Sequence, residues 1–70
     1  MLIEHPDAVC PECAAPLLYR FTATPTGWRV VFVCARNCGF TETAGTIDRS
    51  DIDHRDERHE QAVAMGQQFA

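Results

Sequence analysis

Four cysteines lie in two short clusters, CPEC at residues 10–13 and CARNC at residues 34–38. Two residues separate the first pair, three separate the second, and twenty lie between the pairs. Thiolates are soft ligands, and two sequence-close pairs can each supply one edge of the tetrahedron that Zn²⁺ prefers. The distance between the pairs is at the upper end of the range used by two-pair zinc sites. The pattern therefore predicts a metal site made of all four thiols.

Two other uses of clustered cysteines fit this chain less well. CPEC alone could be a redox motif, but such motifs work in a thioredoxin-like βαβ setting, for which 70 residues are too few. Disulfides belong to oxidising compartments, whereas MLIEHPDAV has neither the basic region nor the apolar run of a secretory signal. No apolar stretch is long enough to cross a membrane. We therefore expect a cytoplasmic protein with reduced thiols.

The residues between the clusters have the period of a β-hairpin. Apolar side chains alternate with others on both sides of the turn sequence TPTG at 24–27, whose glycine we expect to be left-handed. They are Leu17, Tyr19, Phe21 and Ala23 before the turn, and Trp28, Val30 and Phe32 after it. If Thr24 faces Gly27, opposed residue numbers sum to 51, and all seven side chains share one face. A slip of one residue would mix the two faces, so we expect this register.

The flanking segments are less regular. We expect residues 1–9 to be a short leader, since Pro6 and Pro11 disfavour a helix there. A third short strand is expected within FTETAGT at 40–46. Ser50 and Asp53 loosely match a helix capping box, which predicts a helix over roughly 51–65. Its apolar residues Ala62, Val63 and Met65, with Phe69 beyond them, should pack on the hairpin while the charged half at 53–60 stays solvated.

The clusters CPEC and CARNCGF, with the hairpin between them, resemble a zinc ribbon over roughly residues 8–47. Zinc ribbons are small β-folds of transcription factors, RNA polymerase subunits and ribosomal proteins. The resemblance implies that Cys10, Cys13, Cys34 and Cys38 hold one structural Zn²⁺. Ala14 stands where many ribbons have Gly, and the second cluster is one residue longer than usual. We expect Asn37 to absorb that extra residue in a left-handed conformation.

These elements predict a small metal-stabilised α+β protein. Its first part, residues 1–47, would be a zinc ribbon with an antiparallel hairpin and a third short strand. Its second part, residues 48–70, would be an acidic C-terminal helix packed on the ribbon. We expect all three histidines to face solvent, and His54 and His59 to be too far apart around a helix to share an ion, by roughly 140°.

The residue types argue against catalysis. No nucleophile, base and orienting acid can be assembled, and four cysteine ligands leave a zinc ion no open position for water. The aromatic face is the other candidate for function, because its side chains would either form the core or stack nucleobases. The candidate binding residues on or beside the hairpin are Tyr19, Phe21, Trp28, Arg29 and Phe32.

The charge separates two hypotheses of function. The formal net charge is −4, and a zinc ion with four thiolates would lower it to about −6. All six basic residues are Arg, and they form no basic stripe along the sequence. Nucleic-acid binding depends on such a stripe, so we favour a non-enzymatic adaptor that binds a protein partner and has a regulatory role. A nucleic-acid-binding or transcription-associated ribbon is the alternative.

Overall fold

A four-stranded antiparallel sheet carries one helix on one of its faces. The computed structural model describes residues 2–70, except for the side chain of Arg55. The strands lie in the order β1-β2-β3-β4 and are followed by one helix and two short 3₁₀ turns. Their bounds are β1 Ile3–Val9, β2 Pro16–Ala23, β3 Gly27–Cys34, β4 Thr41–Asp48 and α1 Arg55–Gly66, with 3₁₀ turns at Arg49–Asp51 and Gln67–Phe69.

The hairpin of β2 and β3 has the predicted register. Leu17 pairs with Cys34, Tyr19 with Phe32, and Ala23 with Trp28. The Thr24 backbone N–H donates to the Gly27 carbonyl at 2.9 Å, which closes the turn. The alternation of apolar residues specified this register, because one face of the pair is buried.

Gly27 is required for a different reason from the one predicted. Among the described residues, the only glycine with positive φ is Gly39, so the expected left-handed conformation of Gly27 is wrong. A Cβ atom at Gly27 would overlap the backbone carbonyl oxygen of Ile47 on β4. Glycine is needed because the neighbouring strand passes so close.

The expected N-terminal leader is a strand. Ile3 pairs with Tyr19 and Glu4 with Leu18. The register shifts between Glu4 and Val9, and Val9 pairs with Pro16. The irregular part of β1 contains Pro6, which an edge strand tolerates because one side of its backbone makes no ladder hydrogen bonds. The leader prediction failed because prolines exclude a helix but not an edge strand.

The strand β4 is longer than the predicted one and runs through Asp48. Val30 pairs with Gly45 and Val31 with Thr43, so Ala44 is an extra residue that forms a bulge. Gly45 and Thr43 are two residues apart on β4, whereas their partners Val30 and Val31 are adjacent on β3. This extra residue bends the edge strand locally. Gly45 lies within this strand, and a Cβ atom at that position would be 3.4 Å from the Met65 side chain.

The helix begins at Arg55, four residues later than predicted. Its N-cap is His54, which makes no capping hydrogen bond through its side chain, so the proposed Ser50–Asp53 capping box is wrong. Asp48 Oδ1 instead accepts from the backbone N–H and the hydroxyl of Ser50, at 2.9 and 2.8 Å. These two hydrogen bonds hold the pKa of Asp48 below its ordinary value and organise the 3₁₀ turn before the helix.

The C-terminal segment covers the aromatic face of the hairpin. Ala62 is fully buried in the core with Leu17, Val30 and Phe32. The ring of Phe69 packs on Phe32 with the centroids 5.4 Å apart. Helix and sheet therefore share a single hydrophobic core. Among the described residues, no helix is long and apolar enough to span a membrane.

The charged half of the helix is not fully solvated, contrary to expectation. The Arg58 guanidinium lies over the rings of Phe21 and Trp28, at 4.5 and 4.9 Å from their centroids. His59 contacts Phe21 edge-to-face at 5.1 Å, and its Nδ1 lies 3.2 Å from the hydroxyl of Tyr19. Cation–π and edge-to-face contacts thus attach this half of the helix where apolar residues are lacking.

His5 is buried, contrary to the expectation that all three histidines face solvent. It belongs to β1, is only 2% exposed, and its imidazole lies against Val63 and Gly66 of α1. Its Nδ1 accepts from the backbone N–H groups of Asp7 and Ala8, at 3.0 and 2.9 Å. Nε2 therefore carries the proton and donates to the Val63 carbonyl at 2.8 Å. A Cβ atom at Gly66 would overlap this imidazole, so only a glycine at the end of the helix leaves room for the His5 ring.

We expect His5→Phe to lower the free energy of unfolding by about 2–4 kcal/mol. Phenylalanine fills a similar volume but leaves the Ala8 N–H and the Val63 carbonyl without their imidazole partner, while water can reach the N–H of the exposed Asp7. Each unsatisfied buried group costs about 1–3 kcal/mol, and the Val63 carbonyl is only partly buried. Urea denaturation of the metal-loaded protein measures the change. The control is His54→Phe at an exposed position. An equal effect of both variants would contradict a structural role for His5.

Candidate metal centre

The two cysteine clusters meet at one end of the sheet. The first cluster follows β1 and the second begins at the end of β3, and both strands flank the start of β2. The Cys10 N–H donates to the Ala15 carbonyl at 2.7 Å, and the Ala35 N–H donates to the Pro16 carbonyl at 3.0 Å. The antiparallel order of the strands therefore brings together two clusters that are twenty residues apart in sequence.

The four sulfur atoms fit a single tetrahedral ion. All four Sγ atoms lie within 4.8 Å of one another. The Cys10–Cys38 and Cys13–Cys34 Sγ separations are 3.5 and 3.4 Å. Zinc–sulfur bonds of about 2.3 Å imply edges of about 3.8 Å in a tetrahedron, within this range. A disulfide requires about 2.05 Å, and all four thiols are free. The four cysteines are thus positioned to bind one metal ion.

Backbone N–H groups surround the sulfur atoms. The Glu12 N–H donates to the Cys10 Sγ at 3.4 Å. The N–H groups of Ala15 and Phe40 favour ionisation of Cys13 and Cys38, and those of Cys38 and Arg36 favour ionisation of Cys34. Hydrogen bonds to a charged sulfur favour the thiolate, which is the form that binds a metal. Both clusters are therefore shaped to stabilise anionic sulfur.

The thiols ionise unequally because they crowd one another. The backbone N–H of Cys38 is the largest of the influences that lower the pKa of Cys34 to about 6. The Phe40 N–H favours ionisation of Cys38, but the sulfurs of Cys34 and Cys10 outweigh it and raise the pKa of Cys38 to about 12. The Ala15 N–H likewise favours ionisation of Cys13, but the sulfur of Cys34 and desolvation of the thiol outweigh it and raise the pKa of Cys13. A divalent cation would compensate the charge of all four thiolates.

Left-handed residues shape both clusters. Asn37 has φ 56°, so the prediction that it absorbs the longer second cluster is confirmed. Ala14, which stands where many zinc ribbons have Gly, has φ 62°, and Gly39 has φ 101°. The Ala14 N–H donates to the Cys10 carbonyl at 2.8 Å, so the strained residue closes the first cluster. An L-residue with a Cβ pays about 1–2 kcal/mol for this conformation.

Ala14→Gly should stabilise the protein by about 0.5–1 kcal/mol. Removing the Cβ relieves the strain of the left-handed conformation. This gain exceeds the loss of about 0.4–1 kcal/mol that results from the greater conformational entropy of glycine in the unfolded chain. The control is Ala64→Gly, at an exposed position of α1, which should cost up to about 1 kcal/mol. Chemical denaturation at fixed zinc concentration measures both. Destabilisation by both variants would show that strain at Ala14 is absent.

The predicted nucleobase-binding residues do not form one surface. Tyr19 and Phe32 are 3% and 0% exposed and belong to the core, and burial raises the pKa of the Tyr19 phenol. Phe21 and Trp28 are half-buried beneath Arg58. Arg29 is exposed on the opposite face of the sheet. Sequence reasoning missed Arg58 and His5, whose contacts come from distant parts of the chain.

Fold and site together define a small protein with a four-stranded antiparallel sheet, one C-terminal helix and four cysteines positioned to bind one metal ion. Comparisons with protein-family models, with curated proteins and with solved structures return no match to this chain. The geometry of the cysteines and the distribution of charge are therefore the basis for inferring function.

Proposed function

We propose that the chain is a zinc ribbon in which Cys10, Cys13, Cys34 and Cys38 hold one structural Zn²⁺. Support comes from the Sγ separations, the backbone N–H groups around the sulfur atoms and the free thiols. An all-thiolate set suits zinc among abundant divalent metals. With four protein ligands the ion would have no position for substrate or water, so its role is to stabilise the fold rather than to catalyse a reaction.

We further propose that the folded protein is a non-enzymatic, cytoplasmic adaptor that binds a protein partner and acts in regulation. The observation that carries this proposal is that the arginines of the hairpin lie on the opposite face of the sheet from its aromatic side chains. Tyr19 and Phe21 lie on the face beneath α1, whereas Arg20 and Arg29 lie on the other face. Single-strand binding combines stacking and cationic groups in one groove. The acidic net charge of −4 also disfavours a phosphate backbone.

The adaptor proposal is tested by affinity purification from native lysate, with and without nuclease. The bait is the tagged, zinc-loaded protein, and its control is the Cys34→Ser variant, which should lose the fold. A partner that survives nuclease treatment and is absent from the control supports the proposal. A partner that disappears after nuclease treatment would instead show that binding occurs through nucleic acid.

One observation favours the alternative, nucleic-acid-binding function. Phe21 and Trp28 are half-buried, and the guanidinium groups of Arg58 and Arg49 lie over the Trp28 ring at 4.9 and 5.6 Å. Aromatic rings beside arginines are a common element of single-strand binding sites. This cluster is small, and its aromatic surface is already occupied by residues of the same chain.

We expect binding of the zinc-loaded protein to duplex DNA to be no tighter than about 10⁻⁴ M at physiological salt. Only Arg20, Arg29 and Arg36 lie within the ribbon, and three phosphate contacts give a salt slope of roughly −2 to −3. Fluorescence anisotropy with single- and double-stranded oligonucleotides measures the affinity. Submicromolar binding that is lost in Trp28→Ala or Arg29→Ala would overturn the adaptor proposal.

A further inference from the structure

The sheet has a second face, which we call the open face, on the side opposite α1. Its side chains alternate with those of the core along each strand, as the pleat requires. The cross-strand pairs are Leu18–Val33, Arg20–Val31, Thr22–Arg29, Arg29–Thr46 and Val31–Thr43. Because the helix packs on the other side, none of the described helices covers this face of the sheet.

The open face has an aliphatic half near the metal centre. Leu18 and Val33 are half-buried neighbours, and Val31 beside them is 8% exposed. The adjoining edge strand adds Val9, which is 43% exposed and lies opposite Pro16. The half is apolar enough to pack aliphatic side chains and contains no aromatic ring.

The other half of the open face is basic, in contrast to the acidic chain as a whole. Arg20 and Arg29 are both exposed. Their cross-strand neighbours are Val31, Thr22 and Thr46, so no carboxylate lies opposite either guanidinium. The acidic residues on this face are Glu4, which pairs with Leu18 in the aliphatic half, and Asp48, which follows Thr46 by two residues and is engaged by Ser50. The two guanidinium groups make the basic half locally positive and complementary to an acidic partner.

A recess adjoins the basic half at the turn of the hairpin. Its volume is about 250 Å³, and it is lined by Thr24, Thr26, Arg29, Thr46, Ile47 and Asp48. Cofactor and nucleotide sites are usually larger, about 300–1,000 Å³, so the recess suits a single side chain. Arg29 and the threonine hydroxyls are donors for a carboxylate. The carboxylate of Asp48 opposes an anion, but it is engaged by Ser50 through two hydrogen bonds.

We propose that the open face binds an extended acidic segment of a partner protein. Aliphatic side chains of that segment lie over Leu18 and Val33, its carboxylates pair with Arg20 and Arg29, and one of them enters the recess. The inference rests on the proposed adaptor function and adds the surface and the charge of the partner. Nucleic acid fits less well because this face has no stacking ring. Two copies packed face to face would bring their arginines together, which is repulsive.

The test is a titration of zinc-loaded, ¹⁵N-labelled protein with a synthetic peptide in which Glu alternates with Val. Amide shifts should change at Arg20, Thr22, Arg29 and Thr46, and binding should weaken as salt increases. Arg29→Glu should weaken binding at least about tenfold, which corresponds to about 1.4 kcal/mol. The matched control is Arg36→Glu, with the same charge change in the second cysteine cluster, and it should change binding less than about twofold.

Several outcomes would overturn this inference. One is a change of amide shifts on α1, and another is an equal loss of affinity in the Arg29→Glu and Arg36→Glu variants. The others are equal affinity for a peptide with Gln in place of Glu, or tighter binding of an oligonucleotide to the same face. Open-face shifts that depend on protein concentration without peptide would assign the face to a second copy. If the Arg20→Glu/Arg29→Glu protein keeps a nuclease-resistant partner, the assignment of the open face as the binding surface is wrong, while the proposed adaptor function stands.

Discussion

Replacing Cys10, Cys13, Cys34 or Cys38 by Ser should leave the chain largely unfolded. Binding of zinc to small thiolate sites contributes about 10–16 kcal/mol near neutral pH, and this free energy is also folding free energy. The whole stability of a typical domain is only about 5–15 kcal/mol, so a chain of 70 residues cannot offset such a loss. Circular dichroism and ¹⁵N spectra of the variants measure the remaining structure.

The metal itself is measured by native mass spectrometry, which should show one zinc ion per chain and a mass consistent with reduced thiols. Ala35→Ser is the control, because it adds a hydroxyl beside the proposed ligand Cys34 at an exposed position. It should retain zinc and the folded spectrum. A chain that keeps its full sheet signal after metal removal by a chelator would contradict the coupling of metal binding and folding.

Removing residues 49–70 should destabilise the sheet by about 4 kcal/mol or more, or cause it to self-associate. The deletion removes Ala62, Met65 and Phe69 from the core and uncovers Tyr19 and Phe32. Burial of each large apolar side chain contributes about 1.5–3 kcal/mol. Thermal melting with zinc present and light scattering after size exclusion measure the two outcomes.

Two point variants in the full chain separate packing from chain length. Ala62 is fully buried and Ala64 is exposed on the same helix. Ala62→Asp should mimic much of the deletion because it buries a carboxylate in an apolar core, whereas Ala64→Asp should have little effect. If the shortened protein keeps its melting temperature and stays monomeric, the helix is an independent appendage rather than part of the core.

Local pattern determined the hairpin and the cysteine geometry. Strict alternation from Leu17 to Ala23 and from Trp28 to Phe32 leaves one acceptable register, since a slip exchanges the faces. The cysteine spacing likewise implied one site, and Asn37 was identified because few residues tolerate a left-handed backbone. In each case the deciding interactions are between near neighbours or cross a short turn.

Tertiary structure decided what the local pattern left open. Residues 3–9 become a strand only because the edge of β2 accepts them, and their one proline and their polar residues gave no strand signal. Asp48, at the end of β4, caps the 3₁₀ turn and accepts hydrogen bonds from Ser50. Ser50 therefore does not cap the helix, which starts at Arg55.

The same division separates the four cysteines of the candidate metal site from the other residues that the structure singles out. By itself the sequence determined the four thiols, their clusters and the hairpin that brings them together, because these depend on spacing and period. Tertiary structure alone decided that His5 is buried, that Arg58 lies on Phe21 and Trp28, and that Arg20 and Arg29 share an uncovered face. Each of these depends on where one helix docks, and docking is a sum of weak contacts between distant residues that no local period encodes.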